Sequence, residues 1–342
     1  MAEPMAAPVH AGGAPRGSIV GTIARQRELS LVLVMVVLGG FVTLSAPQFL
    51  TTANLSQVAV LASITAIAAI GQAIVVITRN IDLSVEAIIG LTAYSVAITL
   101  ETHTLDSTGA ILLGVALGLG LGMINGLLVT VFRVPSIVAT LGTLSIFRGI
   151  DYLIAGSHQV PLAGLPEGFT DPARDSILGI PIFVLVVLAA VIVATIVLRW
   201  TRFGRQVYAV GSNPEAAAIL GIPARLVVFV AYTLCGMFAG IAGVMWVIQF
   251  GTINGTSATG VVLAVVAAVV VGGVNIFGGS GTVIGAAIGA YFLGFIANAL
   301  ILVGLSQFWL QAIYGVVILV AVSADALIGR RIERLAAARR VR

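Results

Sequence analysis

Ionisable side chains inside apolar segments are the residues best placed to do chemistry in this 342-residue chain, of which only 9% is charged. Arg148 and Asp151 lie three positions apart, so one turn of a helix can pair them. A charged side chain at membrane depth is costly and usually marks a function. We favour a structural ion pair, and a contact with a permeating solute is the alternative.

Asp82 follows Arg79 and Asn80 at a polar interruption between two apolar segments. Polar backbone at membrane depth is tolerated only where it is buried in protein or faces water. Asp82 therefore either borders a pathway or, with Ser84, caps the next helix, while Arg79 marks the cytoplasmic side. The two roles are compatible.

Two asparagines, Asn125 and Asn298, lie within apolar segments. Amide side chains in such segments hydrogen bond between helices, and we favour that role over contact with a solute. A further asparagine, Asn275, lies in a second polar interruption. The candidate pathway residues are Asn80, Asp82, Asn125, Arg148, Asn275 and Asn298.

Several kinds of site are excluded by residue type. All 17 basic residues are arginine, so the chain lacks the lysine of a nucleotide-binding P-loop, and Gly278–Gly281 is better explained as a tight turn. His103 and His158 have no second ligand at metal-binding spacing. Cys235 has no cysteine to pair with. We find no nucleophile beside a base, and we predict neither a metal site nor an enzyme.

The elements that must position these residues are transmembrane helices. The chain is 59% hydrophobic with a mean hydropathy of +1.15, whereas soluble domains carry about 25% charged residues. Crossing the hydrocarbon core takes about 20 apolar residues. We predict an all-α polytopic membrane protein with about ten spans near 30–46, 55–77, 84–100, 109–131, 136–155, 178–198, 226–247, 259–274, 282–303 and 308–327. The first, third, fifth and eighth are short or interrupted by glycine, which suggests tilted, broken or re-entrant segments.

Arginine placement predicts the orientation. With ten spans and the N-terminus inside, only Arg174 falls in an outside loop and only Arg148 within a span. The positive-inside rule therefore places both termini in the cytoplasm.

This topology divides the chain into three parts: a cytoplasmic segment 1–29, partly disordered, a transmembrane domain 30–327, and a basic cytoplasmic tail 328–342. The tail is a stop-transfer anchor or, alternatively, lies along anionic lipid. The outside loop 156–177 either receives a partner or simply connects two spans.

The cytoplasmic loop 199–225 contains a short helix with readable ends. Asn213 suits the N-cap and Pro214 the first helical position, while Gly221 and Pro223 suit the C-terminal end. So short a helix is unstable alone in water and needs a surface to pack on. It is either one helical turn in an ordinary loop or a docking helix for a cytoplasmic partner.

An internal duplication is suggested by segments 75–94 and 269–291, each with an apolar run, a polar break and a glycine-spaced helix. A helix carrying an asparagine, Asn125 or Asn298, follows each break. Both breaks fall on the cytoplasmic side, so the halves would share one orientation. Chance similarity among segments rich in glycine, alanine and valine is the alternative.

Four ordered motifs resemble one family over about 30–327: TRNIDLSV (78–85), VPSIVATLGTLSIFRGI (134–150), TRFGRQVYAVGSNPEAAAILGI (201–222) and VVGGVNIFGGSGTVIGA (270–286). They are similar to the ribose-type permease subunits of bacterial ABC sugar importers. The autoinducer-2 and rhamnose uptake permeases are the most similar branches.

The resemblance implies a non-catalytic, multi-pass permease of the bacterial inner membrane that imports a small sugar or sugar-like ligand, such as autoinducer-2, rhamnose, ribose or another pentose. It implies a second permease copy or paralogue, an extracytoplasmic binding protein and a separate cytoplasmic ATPase that binds ATP and Mg. Lipid is the other expected contact, and we expect no cofactor in this chain and no nucleic acid. The residues that match the family's ATPase-docking loop are Asn213, Glu215, Ala216, Ala217 and Gly221.

The chain departs from the family pattern at Asn80 and Glu86, where glycine is usual, and at Val262, where glutamate is usual. These departures put any transfer of ligand preference in doubt. An ion-coupled secondary sugar transporter is the alternative function, and a passive channel is a third. Uptake that collapses with an ionophore but survives ATP depletion would identify the second class.

Overall fold

The computed structural model describes residues 27–306, 308–320 and 323. The predictions on residues 1–26 and on the tail 328–342 fall outside these ranges. The described helices are α1 Arg27–Ser45, α2 Thr52–Ile77, α3 Val85–Glu101, α4 Ser107–Thr130, α5 Ser136–Ala155, α6 Ile182–Trp200, α7 Arg202–Ser212, α8 Pro214–Ile219, α9 Ala224–Phe250, α10 Val261–Val271, α11 Val283–Leu302 and α12 Trp309–Val320. Short 3-10 turns at Pro47–Leu50, Leu162–Gly164 and Asp171–Ala173 and a hairpin of β1 Ser176–Ile177 and β2 Ile180–Pro181 complete the described elements.

Each of the ten predicted spans coincides with one helix, which confirms the all-α polytopic fold. Seven of the described helices are long and apolar enough to cross a membrane. Helices α3 and α10 are short, with 17 and 11 residues, as predicted for the third and eighth segments. The first and fifth segments instead form continuous helices of 19 and 20 residues, so glycine does not break them.

Helices α2 and α9 form the centre of the bundle, and α9 packs along α4, α2 and α3. The α4–α9 contact is built on glycine. A Cβ added at Gly118 would collide with the carbonyl oxygen of Gly236, and one added at Gly236 would collide with that of Gly118. Small residues let two helix backbones approach in a membrane, where water drives no apolar association.

The polar interruption between α2 and α3 folds back into the bundle. With its amide oriented to suit its surroundings, Gln72 of α2 donates to the Asp82 carbonyl (3.1 Å) and accepts from the Asp82 N–H (3.2 Å). Asp82 therefore lies beside a residue five positions before the end of α2. Helix α3 begins inside the bundle, which explains why it is short.

The interruption between α10 and α11 meets the first one. The Gly279 N–H donates to the Ile77 carbonyl at 2.9 Å, which joins the second break to the end of α2. Helix α10 begins inside the bundle and, at about 1.5 Å per residue, covers roughly half of a 30 Å hydrocarbon core. Both breaks therefore lie at one end of the bundle, which we call the α8 end.

Loop 199–225 holds two helices rather than one. Helix α7 precedes the predicted α8 and buries Gly204, Val207, Val210 and Gly211 along one face. The Thr201 side chain caps it by accepting from the Gly204 N–H at 3.2 Å. The apolar positions recur at helical spacing, so the sequence carried a signal that the prediction of a loop missed.

Candidate functional site

Helix α8 has the ends that the sequence predicts. The Asn213 side-chain oxygen accepts from the N–H groups of Glu215 (3.1 Å) and Ala216 (3.0 Å), and Pro214 occupies the first turn. Gly221 follows the helix with φ +74°, the left-handed conformation that glycine adopts without strain. The caps at both ends stabilise α8, which is too short to be stable by its own backbone hydrogen bonds.

One side of α8 is buried and the other is open. Ala217 is 2% exposed and attaches α8 to the body of the protein. Ile219 and Leu220 are 87% and 77% exposed. Sequence reasoning singled out neither residue, although two adjacent large apolar side chains in a polar loop are such a signal. The structure thus presents an exposed apolar knob, Ile219 and Leu220, on the predicted cytoplasmic loop.

The surface beside the knob is basic. A cavity of about 390 Å³ next to Pro214 is lined by Arg79, Arg133 and Arg225. None of these three arginines forms an ion pair with another described residue. An acidic surface would complement this part of the protein.

Helix α7, which directly precedes α8, is hydrogen bonded to the second break. The Tyr208 hydroxyl donates to the Gly281 carbonyl at 2.9 Å. Burial raises the pKa of Tyr208, and the nearby Arg199 acts in the opposite direction. Tyr208 therefore keeps its proton at neutral pH and remains a donor.

A first polar cluster joins the break after α2 to α4. Asp82 is fully buried, and its Oδ1 accepts from the N–H (2.9 Å) and hydroxyl (2.7 Å) of Ser84. Asn125 of α4 donates to the Ser84 hydroxyl oxygen at 2.7 Å and to Asp82 Oδ2 at 3.3 Å. The predicted interhelical role of Asn125 is confirmed. The predicted cap is wrong in detail, because Ser84 occupies the N-cap position of α3 without a side-chain cap bond, and the Asp82 side chain accepts from Ser84 and Asn125 instead of from the first turn of α3.

A second cluster surrounds Arg148 of α5, which is 7% exposed. Its Nη1 lies 3.4 Å from Asp151 Oδ2, which confirms the predicted pair. Its Nη2 also lies 3.8 Å from Glu86 Oε1. Nη1 donates to the Ser257 carbonyl at 2.8 Å, so Arg148 links α3 and α5 to the segment before α10.

Glu86 completes this cluster and was missed from the sequence as a site residue. Its Oε2 accepts from the N–H groups of Gly260 (2.9 Å) and Val262 (3.3 Å) at the start of α10. A carboxylate is favourable beside the positive end of a helix dipole. Two of the positions that depart from the family pattern, Glu86 and Val262, are therefore in contact. The glutamate one residue after the start of a buried helix was the available signal.

The remaining candidates lie apart from both clusters. Asn298 and Asn54 exchange amide hydrogen bonds of 3.0 and 2.9 Å at the far end of α2, which confirms an interhelical role for Asn298. Asn80 donates to the Thr78 carbonyl at 2.9 Å, and Asn275 accepts from the Phe277 N–H at 2.8 Å, so each folds onto its own turn.

The six pathway candidates thus do not converge on one site, and only Asp82 and Asn125 touch. Asn125 and Asn298 also lie near opposite ends of α2, so they are not equivalent positions of a repeat. The suggested duplication rests on the two breaks alone.

Comparison with known proteins adds to this geometry. Residues 54–322 match the family model described as branched-chain amino acid transport system / permease component. This chain belongs to that family. It is therefore a membrane transport permease, and the motif resemblance to ribose-type permeases is confirmed by its relatives.

Several named relatives align over most of their lengths. An autoinducer 2 import system permease protein of Enterobacter sp. (strain 638) is 35% identical over 313 residues, covering 92% of this chain and 90% of the relative. The protein of the same name from Salmonella typhimurium is 37% identical over 298 residues, covering 87% and 85%. A ribose import permease protein of Escherichia coli (strain K12) is 34% identical over 307 residues, covering 88% and 94%. No solved structure matches the chain.

Proposed function

We propose that this chain is the membrane-spanning subunit of an ATP-driven importer for a small sugar or sugar-like ligand, located in the bacterial cytoplasmic membrane. The observation that carries the proposal is the doubly capped α8 with its exposed knob. The named relatives, which import autoinducer 2 or ribose, support the ligand class.

In this proposal the energy source lies in another chain. The sequence has no lysine to complete a P-loop, and we assign the binding of ATP and Mg to a separate cytoplasmic ATPase. We assign its docking site to the α8 region, with Asn213, Glu215, Ala216, Ala217 and Gly221 forming the helix and the knob supplying the contact.

The knob suits a protein partner. Fully burying a leucine or isoleucine side chain contributes about 1.5–3 kcal/mol. The caps already hold α8 in one conformation, so docking does not have to order it. The three arginines beside it would attract an acidic surface, and we expect association to weaken as salt rises.

A second permease subunit, identical or related, completes the pathway in this proposal. Within one chain the polar side chains of both clusters are inaccessible to a solute, because Asp82 and Asn125 are fully buried and Arg148 is nearly so. A polar solute therefore needs a route outside these clusters, and we place it between two permease subunits. An extracytoplasmic binding protein delivers the ligand at the end of the bundle opposite α8.

Two pairs of variants test the docking role. Leu220→Ser removes an exposed apolar side chain from the knob, and Leu178→Ser makes the same change at a residue that is 97% exposed in the outside hairpin. Gly221→Val strains a residue with φ +74°, and Gly179→Val does so at φ +79°, with open space beside both glycines. Only the Leu220 and Gly221 variants should reduce copurification of the ATPase and sugar-stimulated ATP hydrolysis.

The expected weakening of the association follows from the apolar surface that Leu220 would bury in the docked complex. Losing about 1.5–3 kcal/mol at Leu220 corresponds to roughly 10- to 150-fold weaker association. Wild-type copurification and coupling in both knob variants would contradict the docking role. Uptake that survives ATP depletion but collapses with an ionophore would instead support an ion-coupled transporter.

A further inference from the structure

A cavity of about 440 Å³ opens at the end of the bundle opposite α8. It lies between the first turns of α2, the last turn of α9 and the outside loop 156–177. Its polar lining consists of the side chains of Ser56, Gln57, Thr170, Arg174 and Gln249. The volume is within the range of small-molecule sites, about 300–1,000 Å³.

These polar side chains have no partner among the residues that the structure describes. None of the five hydrogen bonds or forms an ion pair with any other described residue. The side-chain oxygen of Gln249 is in addition buried from solvent without a partner. Buried polar atoms in folded proteins nearly always have a hydrogen-bond partner, so the carboxamide of Gln249 needs one, whereas the exposed side chains of Gln57 and Arg174 are free to bind a solute or water.

The hydrogen-bonding groups of the lining indicate which kind of molecule would fit the cavity. The carboxamides of Gln57 and Gln249 each donate and accept, as do the hydroxyls of Ser56 and Thr170. A molecule with several hydroxyl groups on a small frame matches such a set, because every hydroxyl also donates and accepts. Arg174 adds donors, and no carboxylate lines the cavity, so a cation would find no counter-charge.

One wall of the cavity is apolar. Leu162, Ile248 and the ring of Phe250 provide it, and Phe250 packs against Trp246 with ring centroids 4.6 Å apart. The C–H face of a sugar ring packs on such a surface while its hydroxyls reach the polar side. The cavity thus offers both surfaces that an amphipathic polyol needs.

The lining is held in place rather than assembled from a loose loop. Val160 and Ile253 exchange backbone hydrogen bonds of 2.9 and 3.0 Å, which tie the loop to the segment after α9. Both residues are fully buried. A preformed site loses less entropy when its ligand binds.

We propose that this cavity is a binding site for a polyhydroxylated small molecule without positive charge, where the imported ligand rests before it moves into the pathway. The proposal rests on the proposed function. A side chain of the delivering protein is a different occupant, which the test separates from a free sugar.

The test measures binding of labelled D-ribose, L-rhamnose and autoinducer-2 to the purified full-length permease in nanodiscs, without other subunits. We expect saturable binding of at least one compound, and a rise of at least tenfold in its Kd in Gln249→Leu. Gln57→Leu, at the exposed rim, provides a second variant of the lining. Gln159→Leu is the matched control, because Gln159 is exposed in the same loop and lies outside the cavity.

Three results would overturn the proposal: no binding of any of the three compounds, equal binding in the Gln249, Gln57 and Gln159 variants, or weaker association with the delivering protein at unchanged sugar affinity. Uptake by the complete importer is measured in parallel. If the importer transports one of these sugars while the lining variants bind it normally, only the cavity assignment fails. If it transports none of them, the proposed ligand class fails.

Discussion

Replacing Gly118 by alanine tests the central packing of the bundle. An added Cβ there would collide with the Gly236 carbonyl oxygen and lie 2.7 Å from the Gly240 Cα atom. All of these are backbone atoms, so no side-chain rotation can relieve the clash and α4 must move away from α9. Extra atoms in a packed core typically cost about 1–3 kcal/mol.

The matched control is Gly120→Ala on the same helix, where a Cβ would meet nothing within 4 Å. Both changes gain about 1 kcal/mol of helix propensity, so this gain cancels in the comparison. The Gly118 variant should therefore be about 1–3 kcal/mol less stable than the Gly120 variant. A difference of about 1.4 kcal/mol is a tenfold change in the ratio of folded to unfolded protein.

Reversible unfolding of the purified protein in mixed detergent micelles, followed by circular dichroism, measures this difference. The reasoning fails if the two variants unfold at the same denaturant concentration. It fails equally if Gly118→Ala is the more stable of the two, because α4 and α9 could then not lie in backbone contact.

Two further predictions concern the polar contacts inside the bundle. Arg148→Met leaves the carboxylates of Glu86 and Asp151 without their cation, and breaking a buried ion pair costs about 3–5 kcal/mol of stability. The same unfolding assay should show that loss, with partial recovery when Glu86→Gln is added. Wild-type stability of the single variant would refute the assignment. The Asn54–Asn298 pair should show a coupling of about 0.6 kcal/mol in a double-mutant cycle of leucine substitutions, the average for polar contacts between membrane helices; strictly additive single changes would mean that the amides do not bond.

Local features of this protein were predictable from sequence, because their causes act within a few residues. Asn213, Pro214 and Gly221 define both ends of α8 without reference to the rest of the chain. The Arg148–Asp151 pair is one helical turn, and the ten apolar segments follow from the length needed to cross a bilayer.

Contacts between distant segments were not predictable in the same way. Glu86 meets Gly260, 174 positions later, only because both breaks fold into the bundle. The six pathway candidates were chosen by residue type, and residue type does not reveal which buried polar groups satisfy one another. Asn298, for example, finds its partner in Asn54, which no local pattern marked.

The position of Glu86 has a consequence for how the protein can move. One carboxylate oxygen of Glu86 accepts a hydrogen bond at the amino end of α10, and the other faces Arg148. The guanidinium of Arg148 also donates to the Ser257 carbonyl. The hydrogen bonds and the ion pair of Glu86 and Arg148 therefore connect helices α3, α5 and α10 at one position inside the bundle. If α10 moved alone, Glu86 would lose its hydrogen bonds from the Gly260 and Val262 N–H groups, and Arg148 would lose its bond to the Ser257 carbonyl. Losing hydrogen bonds to charged groups away from water is costly. These contacts favour a transport cycle in which the three helices move together and the bending occurs at the chain segments that flank them.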